Sequence, residues 1–186
     1  MISDFKLSPL IEPKFIFTSL ASYKQDGKDK SWEIVDAADS VAVLLYHDTK
    51  KSFVMVKQFR PAIYANGDKF GMTLELCAGI VDKDLSLEQI AIEEVLEECG
   101  FQIDIENLIR VTSFHTSVGF AGSKQTLYYT EIDESMKINE GGGIDDEMIE
   151  VVYISIDEAL RLAYNENIVK TPGLLYSLAW WQNRYY

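Results

Sequence analysis

The sequence predicts an α/β fold: a mixed β-sheet sandwiched between helices, preceded by a small antiparallel β element. Three observations predict it. Strand-type patterns outnumber helical ones along the chain. One of them, SVAVLLY at residues 40–46, is apolar on both faces, as a central strand must be. A single amphipathic helix interrupts the strands and two more close the chain, an order that suits a sheet with helices on both faces. The chain has 186 residues, 47% of them hydrophobic and 25% charged, which is enough for one domain with a sizeable core. We expect residues 1–38 to form the N-terminal β element and residues 39–186 the main domain.

Taken in order, residues 1–13 are irregular and end at Pro13. Residues 14–23 alternate and carry Phe, Ile and Thr, which favours a strand. Gln25-Asp26-Gly27 reads as a hairpin turn, and residues 31–35 as the returning strand, with Trp32 and Ile34 on one face. Such a hairpin is too small to stand alone, so it must pack on the rest or on a second subunit. After the central strand comes a turn at His47–Lys50, then a strand over residues 52–59 that ends at Arg60-Pro61. Residues 62–73, with Asn66-Gly67-Asp68 and Gly71, read as an exposed loop, and residues 74–78 as a short strand.

Residues 107–113 and 124–132 read as strands separated by a small-residue loop, 116–123. Residues 140–143, EGGG, are expected to be mobile. A strand is expected over 147–154 and a helix over 158–164. The last helix starts with Thr171 as N-cap and Pro172 at its first position, with Leu174, Leu175, Leu178 and Trp181 as its apolar stripe.

Net charge is −13. That excludes nucleic acid as a bulk partner, since phosphate backbones need basic surface. No apolar run is long enough to span a bilayer, and the N-terminus lacks the pattern of a signal peptide. Cys77 and Cys99 have neither zinc nor disulfide-framework spacing, and are expected to be buried free thiols in a reducing, cytoplasmic setting.

The chemistry concentrates in residues 79–101, GIVDKDLSLEQIAIEEVLEECGF. Ser86 and Gln89 form a capping box, so a helix starts near Leu87, and Gly100 stops it. At about 100° per residue, Leu87, Ile90, Ala91, Glu94 and Glu98 share one stripe, with Glu97 at its edge. The face that should enter the core therefore turns acidic in its last two turns. Glu94 and Glu98 repel at i,i+4 and oppose the helix dipole. Burying such a pair costs several kcal/mol, to order of magnitude, without a compensating cation. An oxygen-only cluster favours Mg²⁺ or Mn²⁺ over Zn²⁺.

The same stretch resembles the Nudix hydrolase signature, G-x5-E-x7-R-E-U-x-E-E-x-G-U with U apolar. Gly79, Glu94, Val95, Glu97, Glu98, Gly100 and Phe101 match in register. Leu85 stands where the signature has its first Glu, and Glu93 where it has Arg. Lys57–Pro61 and Glu75–Gly79 resemble segments of the nucleoside-diphosphate-sugar pyrophosphatases in that family. The stretches around 76–82, 85–88, 122–126, 129–131 and 149–152 look closest to the UDP-glucose (UDP-sugar) branch, which shares both departures.

The resemblance implies a Nudix-type α/β/α sandwich and metal-dependent hydrolysis of a nucleotide sugar to nucleoside monophosphate and sugar 1-phosphate. ADP-ribose hydrolysis, or a nucleotide-sugar binding protein with impaired turnover, are the alternatives. It also implies a homodimer formed through the N-terminal sheet. Glu94 and Glu98 are expected to hold Mg²⁺ (or Mn²⁺), with Glu97 a second or water-mediated ligand and the Ala78 carbonyl a backbone ligand. Arg60 suits bidentate phosphate contact, and Glu75, before the metal loop, is either a structural partner or a substrate or metal contact. Glu147, after the glycine run, is the candidate base, with Asp145 and Asp146 its competitors. Ser123, Lys124 and Gln125 are candidate pocket residues. Because Glu93 replaces the Arg that steadies the carboxylates, Lys83 or another base is expected to serve instead.

Overall fold

A computed structural model describes residues 2–185. Met1 and Tyr186, the outermost residues of the two expected domains, lie outside that range. The chain divides into two compact units. The smaller holds the residues through Ala38 together with His115–Ser123, and the larger holds Asp39–Phe114 and the residues from Lys124 onward.

In the smaller unit, β1 (Ile16–Gln25) pairs antiparallel with β2 (Lys28–Ala37), in register from Ile16↔Ala37 to Gln25↔Lys28. Both turn residues are left-handed, Asp26 at φ 51° and Gly27 at φ 78°, as a two-residue hairpin turn matching strand twist requires. The 116–123 segment clamps onto β2. The Trp32 indole N–H donates to the Gly119 carbonyl at 2.6 Å, and the Val35 N–H to the Phe120 carbonyl at 2.7 Å. The hairpin buries little of its own apolar surface: Phe17, Leu20, Ile34 and Trp32, the last 57% exposed, all face outward.

In the larger unit, β3 (Ser40–His47) is the centre. It runs parallel to β8 (Lys124–Ile132) and antiparallel to β4 (Ser52–Phe59) and β6 (Cys77–Ile80). The outer side of β4 carries β9 (Glu150–Ser155), and its far half carries β5 (Met72–Glu75). β7 (Ile109–His115) lies beyond β8. The expected single strand at 74–78 is two strands. The chain leaves β4 at Glu75 and joins β3 at Cys77. That switch of partner is non-local, so no local pattern announces it.

Each sheet face has its own core. Val41, Val43, Leu45, Val54 and Tyr128 pack under helix α2 (Leu87–Cys99), against Ile90, Ala91, Val95 and Cys99. Ala42, Leu44, Tyr46, Phe53 and Tyr129 pack under α4 (Pro172–Tyr185), against Leu174, Leu178 and Trp181, with α3 (Ile156–Leu162) alongside. Helices thus cover both faces of a mixed sheet, the α/β/α sandwich expected from the sequence.

Three local expectations change. Residues 62–73 are not all loop: α1 (Pro61–Ala65) begins at the proline, and Met72 and Thr73 already belong to β5. Pro at a helix start is tolerated because its missing N–H has no partner there anyway. The last strand begins at Glu150, not Glu147, which sits in the turn before it. The glycine run is tied down rather than mobile. Gly142 and Gly143 donate N–H bonds of 2.9 and 3.0 Å to the carbonyls of Glu98 and Glu97. All three glycines have positive φ, and a Cβ on Gly141 would lie 2.3 Å from the Glu98 carbonyl oxygen. The run fills the place of a C-terminal cap, supplying donors that the last turn of a helix otherwise lacks.

Candidate active site

Helix α2 begins as the sequence predicts. The Ser86 side chain accepts from the Gln89 N–H, the Gln89 side chain accepts from the Ser86 N–H, and Gly100 ends the helix in the left-handed conformation. This fixes the phase of the helix, and Ile90, Ala91 and Val95 enter the core. Glu98 follows on the same side and is only 4% exposed. Glu94 is half-buried one turn earlier.

Strand β6 receives both carboxylates. The Ala78 N–H donates to Glu98 Oε2 at 2.9 Å. Glu94 lies over Gly79 so closely that a Cβ there would fall 2.0 Å from its carboxyl carbon. The glycine of the G-x5 motif is thus where the backbone makes room for an acid. Its neighbour Ala78 turns its methyl to the opposite face, against the α4-side core.

The electrostatics follow from this placement. Burial, then the charge of Glu97, pushes the Glu94 carboxyl up to about 7, with Lys83 partly opposing. Burial pushes Glu98 up to about 7 as well, eased by the Ala78 N–H and Cys77 and aggravated by Glu94 and Glu147. Two acids held against their preference for water form a site that a cation relieves.

Arg60 and Glu75 form a bidentate pair. Arg60 Nε and Nη2 donate to the two Glu75 oxygens at 2.7 Å each. Thr73 Oγ1 donates to the same carboxylate. Burial would raise the Glu75 pKa, but these bonds outweigh it and hold it below the usual value. Glu75 is thus paired with Arg60 in this structure. The Arg60 guanidinium is held charged by Glu75 first, then by the charges of Glu98 and Glu147. Those couplings bring Arg60, Glu75, Glu94, Glu98 and Glu147 into one electrostatic neighbourhood.

Glu147 is exposed and folded onto its own turn, its Oε2 accepting the Ile144 N–H at 3.1 Å. Glu97 is partly exposed on α2, beside Glu94. Among the described residues, no three His, Cys, Asp or Glu side chains converge into a ready-made metal cage. The donor set is instead two carboxylates, Glu98 held on the Ala78 N–H and Glu94 over Gly79, beside an extended backbone. This suits a hard cation that keeps waters and takes the remaining oxygens from a ligand.

Of the three pocket candidates, Gln125 is turned away from these acids. Gln125 lies in register opposite Ser40 and bonds its Oγ at 3.2 Å. Its Oε1 sits where a Cβ on Gly173 of α4 would be, 2.5 Å away, so it faces the other side of the sheet. The period of two along β8 decides this. Lys124 is held through its backbone N–H, 2.7 Å from Asp39 Oδ1. Ser123 belongs to the smaller unit and bonds Thr116 there at 3.0 Å.

Sequence reasoning missed Thr73, which it placed in the 62–73 loop and which belongs to β5 two residues before Glu75. An open cleft of about 950 Å³ lined by Lys57, Leu74, Ile154, Arg161 and Ile168 includes none of the acids. Among the described residues, no helix is long and apolar enough to cross a membrane.

Comparison with known proteins bears on this geometry. A family model described as NUDIX domain matches residues 36–172. The chain is 37% identical to the uridine diphosphate glucose pyrophosphatase NUDT14 of Mus musculus, over 93% of this chain and 88% of that one. It is 36% identical to the Bos taurus protein of the same name, over 85% and 84%. A GDP-mannose pyrophosphatase of Cronobacter sakazakii is 39% identical over 69% of this chain and 66% of its own.

Proposed function

Because this chain belongs to the Nudix hydrolases, matched over residues 36–172, we propose that it hydrolyses the diphosphate bond of a nucleotide sugar, UDP-glucose or a related UDP-sugar, with the help of Mg²⁺. Water attacks one phosphorus, and the products are a nucleoside monophosphate and a sugar 1-phosphate. The observation that carries the proposal is the paired seating of Glu94 over Gly79 and of Glu98 on the Ala78 N–H. The names of the two mammalian relatives favour uridine over guanine or adenine nucleotides.

Each residue has a task in this reading. Glu94 and Glu98 would hold the divalent ion, with Glu97 and the Ala78 carbonyl as further ligands. The ion supplies charge neutralisation for the diphosphate. Arg60 spends two donors on Glu75, and its remaining N–H groups hold a phosphate oxygen. Glu75 keeps that guanidinium aimed and charged. Glu147 takes the proton from the attacking water. To do so it releases the Ile144 N–H. The anchored glycines leave only the 144–147 turn to move.

The exposed apolar face of the hairpin favours a homodimer with a second copy. Phe17→Glu, on the face that residue shares with Ile34 and Trp32, should then shift the molecular mass measured by light scattering from dimer to monomer.

A panel of UDP-, GDP- and ADP-sugars, with and without Mg²⁺, tests the main proposal through monophosphate release. Release from UDP-sugars only when Mg²⁺ is present supports it. Release from none of them, or equal release without the ion, sinks it.

A further inference from the structure

The family signature places an Arg at the position of Glu93, and this chain has a fourth acid there instead. Glu93, Glu94, Glu97 and Glu98 crowd the last turns of α2, and the helix has no basic residue in its last turn. The negative end of the helix dipole adds to the same field. Nothing on the helix itself balances this charge.

The balance comes from the preceding loop. Lys83 lies between β6 and α2, and its Nζ is 2.8 Å from Glu93 Oε2. The two side chains are 41% and 42% exposed, so as an ion pair alone it contributes little to stability. The ammonium also lies in the fields of neighbouring carboxylates. Its charge is favoured by the Glu93 hydrogen bond first, then by the fields of Glu97, Glu93 and Glu94. It is also the cation that opposes the upward push on Glu94.

We infer that Lys83 is a positioning residue for Glu94 and Glu97, and that Glu93 is its tether. This rests on the hydrolase reading above. The usual arrangement has a cation on the helix beside the acids. Here the pair is inverted, with the acid on the helix and the cation on the loop. Glu93 holds the Lys83 ammonium at the acidic end of the helix. The ammonium screens Glu94 from Glu97, which repel at i,i+3, and keeps both close enough to share one ion. The same pair fastens the 81–86 loop to the helix. The substitution that reads as a defect in the signature is therefore half of a relocated charge.

Direct Mn²⁺ binding to the substrate-free protein, followed by the electron paramagnetic resonance of free Mn²⁺, is the test, alongside kcat and KM. Lys83→Ala should weaken Mn²⁺ binding about three- to tenfold and lower kcat about tenfold, with KM for the nucleotide sugar within twofold. Lys83→Arg should keep both near wild type. The double exchange of Lys83→Glu with Glu93→Lys returns the cation to the helix and should recover most of what Lys83→Glu alone loses. Unchanged Mn²⁺ binding in Lys83→Ala would reduce the pair to a surface contact and overturn the inference. Tighter binding would overturn it too, since Lys83 would then merely compete with the ion. Wild-type protein that binds Mn²⁺ but releases no monophosphate would instead count against the hydrolase reading.

Discussion

The two faces of the central sheet share their strands but differ in what their helices bring. Under α4 the core is aromatic: Tyr46, Phe53 and Trp181 meet with ring centroids 5.0–5.7 Å apart. Every element of that face agrees with burial. Under α2 the core begins in the same way, with Ile90, Ala91 and Val95, and then ends in Glu98 and Glu94. The hydrophobic stripe of α2 is a positioning device. It fixes the helix, and the fixed helix forces two acids into a place they would not choose. Apolar packing supplies stability on one face, and on the other it is spent holding charge ready.

The largest effect that would break this contrast is on turnover. Glu98→Gln keeps the shape and the Ala78 contact but removes the charge. Monophosphate release should fall 100-fold or more, while the melting temperature of the metal-free protein does not drop. A parallel fall in melting temperature would show that Glu98 is structural and that the faces do not differ in kind.

The complementary change on the other face is Trp181→Ala. It should cost about 3–5 kcal/mol of stability, as large aromatic truncations do, measured by urea unfolding. KM of the remaining folded protein should stay within about twofold.

A subtler change sharpens the comparison within β6. Gly79→Ala puts a methyl where the Glu94 carboxyl lies. Turnover should fall about tenfold, with only about 1 kcal/mol of stability lost, because the exposed end of Glu94 can swing away. Ala78→Gly, on the aromatic side of the same strand, should leave turnover nearly unchanged if only its backbone is used.

The smallest effect is on pH. Glu94 and Glu98 bind protons more tightly in the folded protein, near 7, than in the unfolded chain, near 4.3. Their contribution to metal-free stability is therefore fully present below the unfolded value and is lost as pH rises through about 7. Glu75 acts in the opposite direction, since its folded pKa is lowered. Subtracting the profile of Glu98→Gln from that of wild type cancels Glu75. The difference should fall by about 1–3 kcal/mol between pH 5 and 8, and saturating Mg²⁺ should shrink it.

Much of this was legible in the residues themselves. The capping box at Ser86, the stop at Gly100 and the 3.6-residue period are local, so the start, end and buried face of α2 were set by neighbours in sequence. The doubly apolar run at residues 40–46 declared its central place for the same reason. The period of the stripe by itself puts Glu94 and Glu98 on one side of the helix.

Only the tertiary structure decided what those acids meet. That Glu94 lies over Gly79, that Arg60 closes on Glu75, and that Gln125 turns away depend on which strands pair and in what register. So does the split of β5 from β6, where the chain changes partners. The glycine run reads as freedom in sequence, yet folding presses it against the end of α2, where only a residue without a Cβ fits. Local propensity specifies a helix and its phase. Contacts between residues distant along the chain set the environment of a charge, and that environment turns an acidic helix into a site.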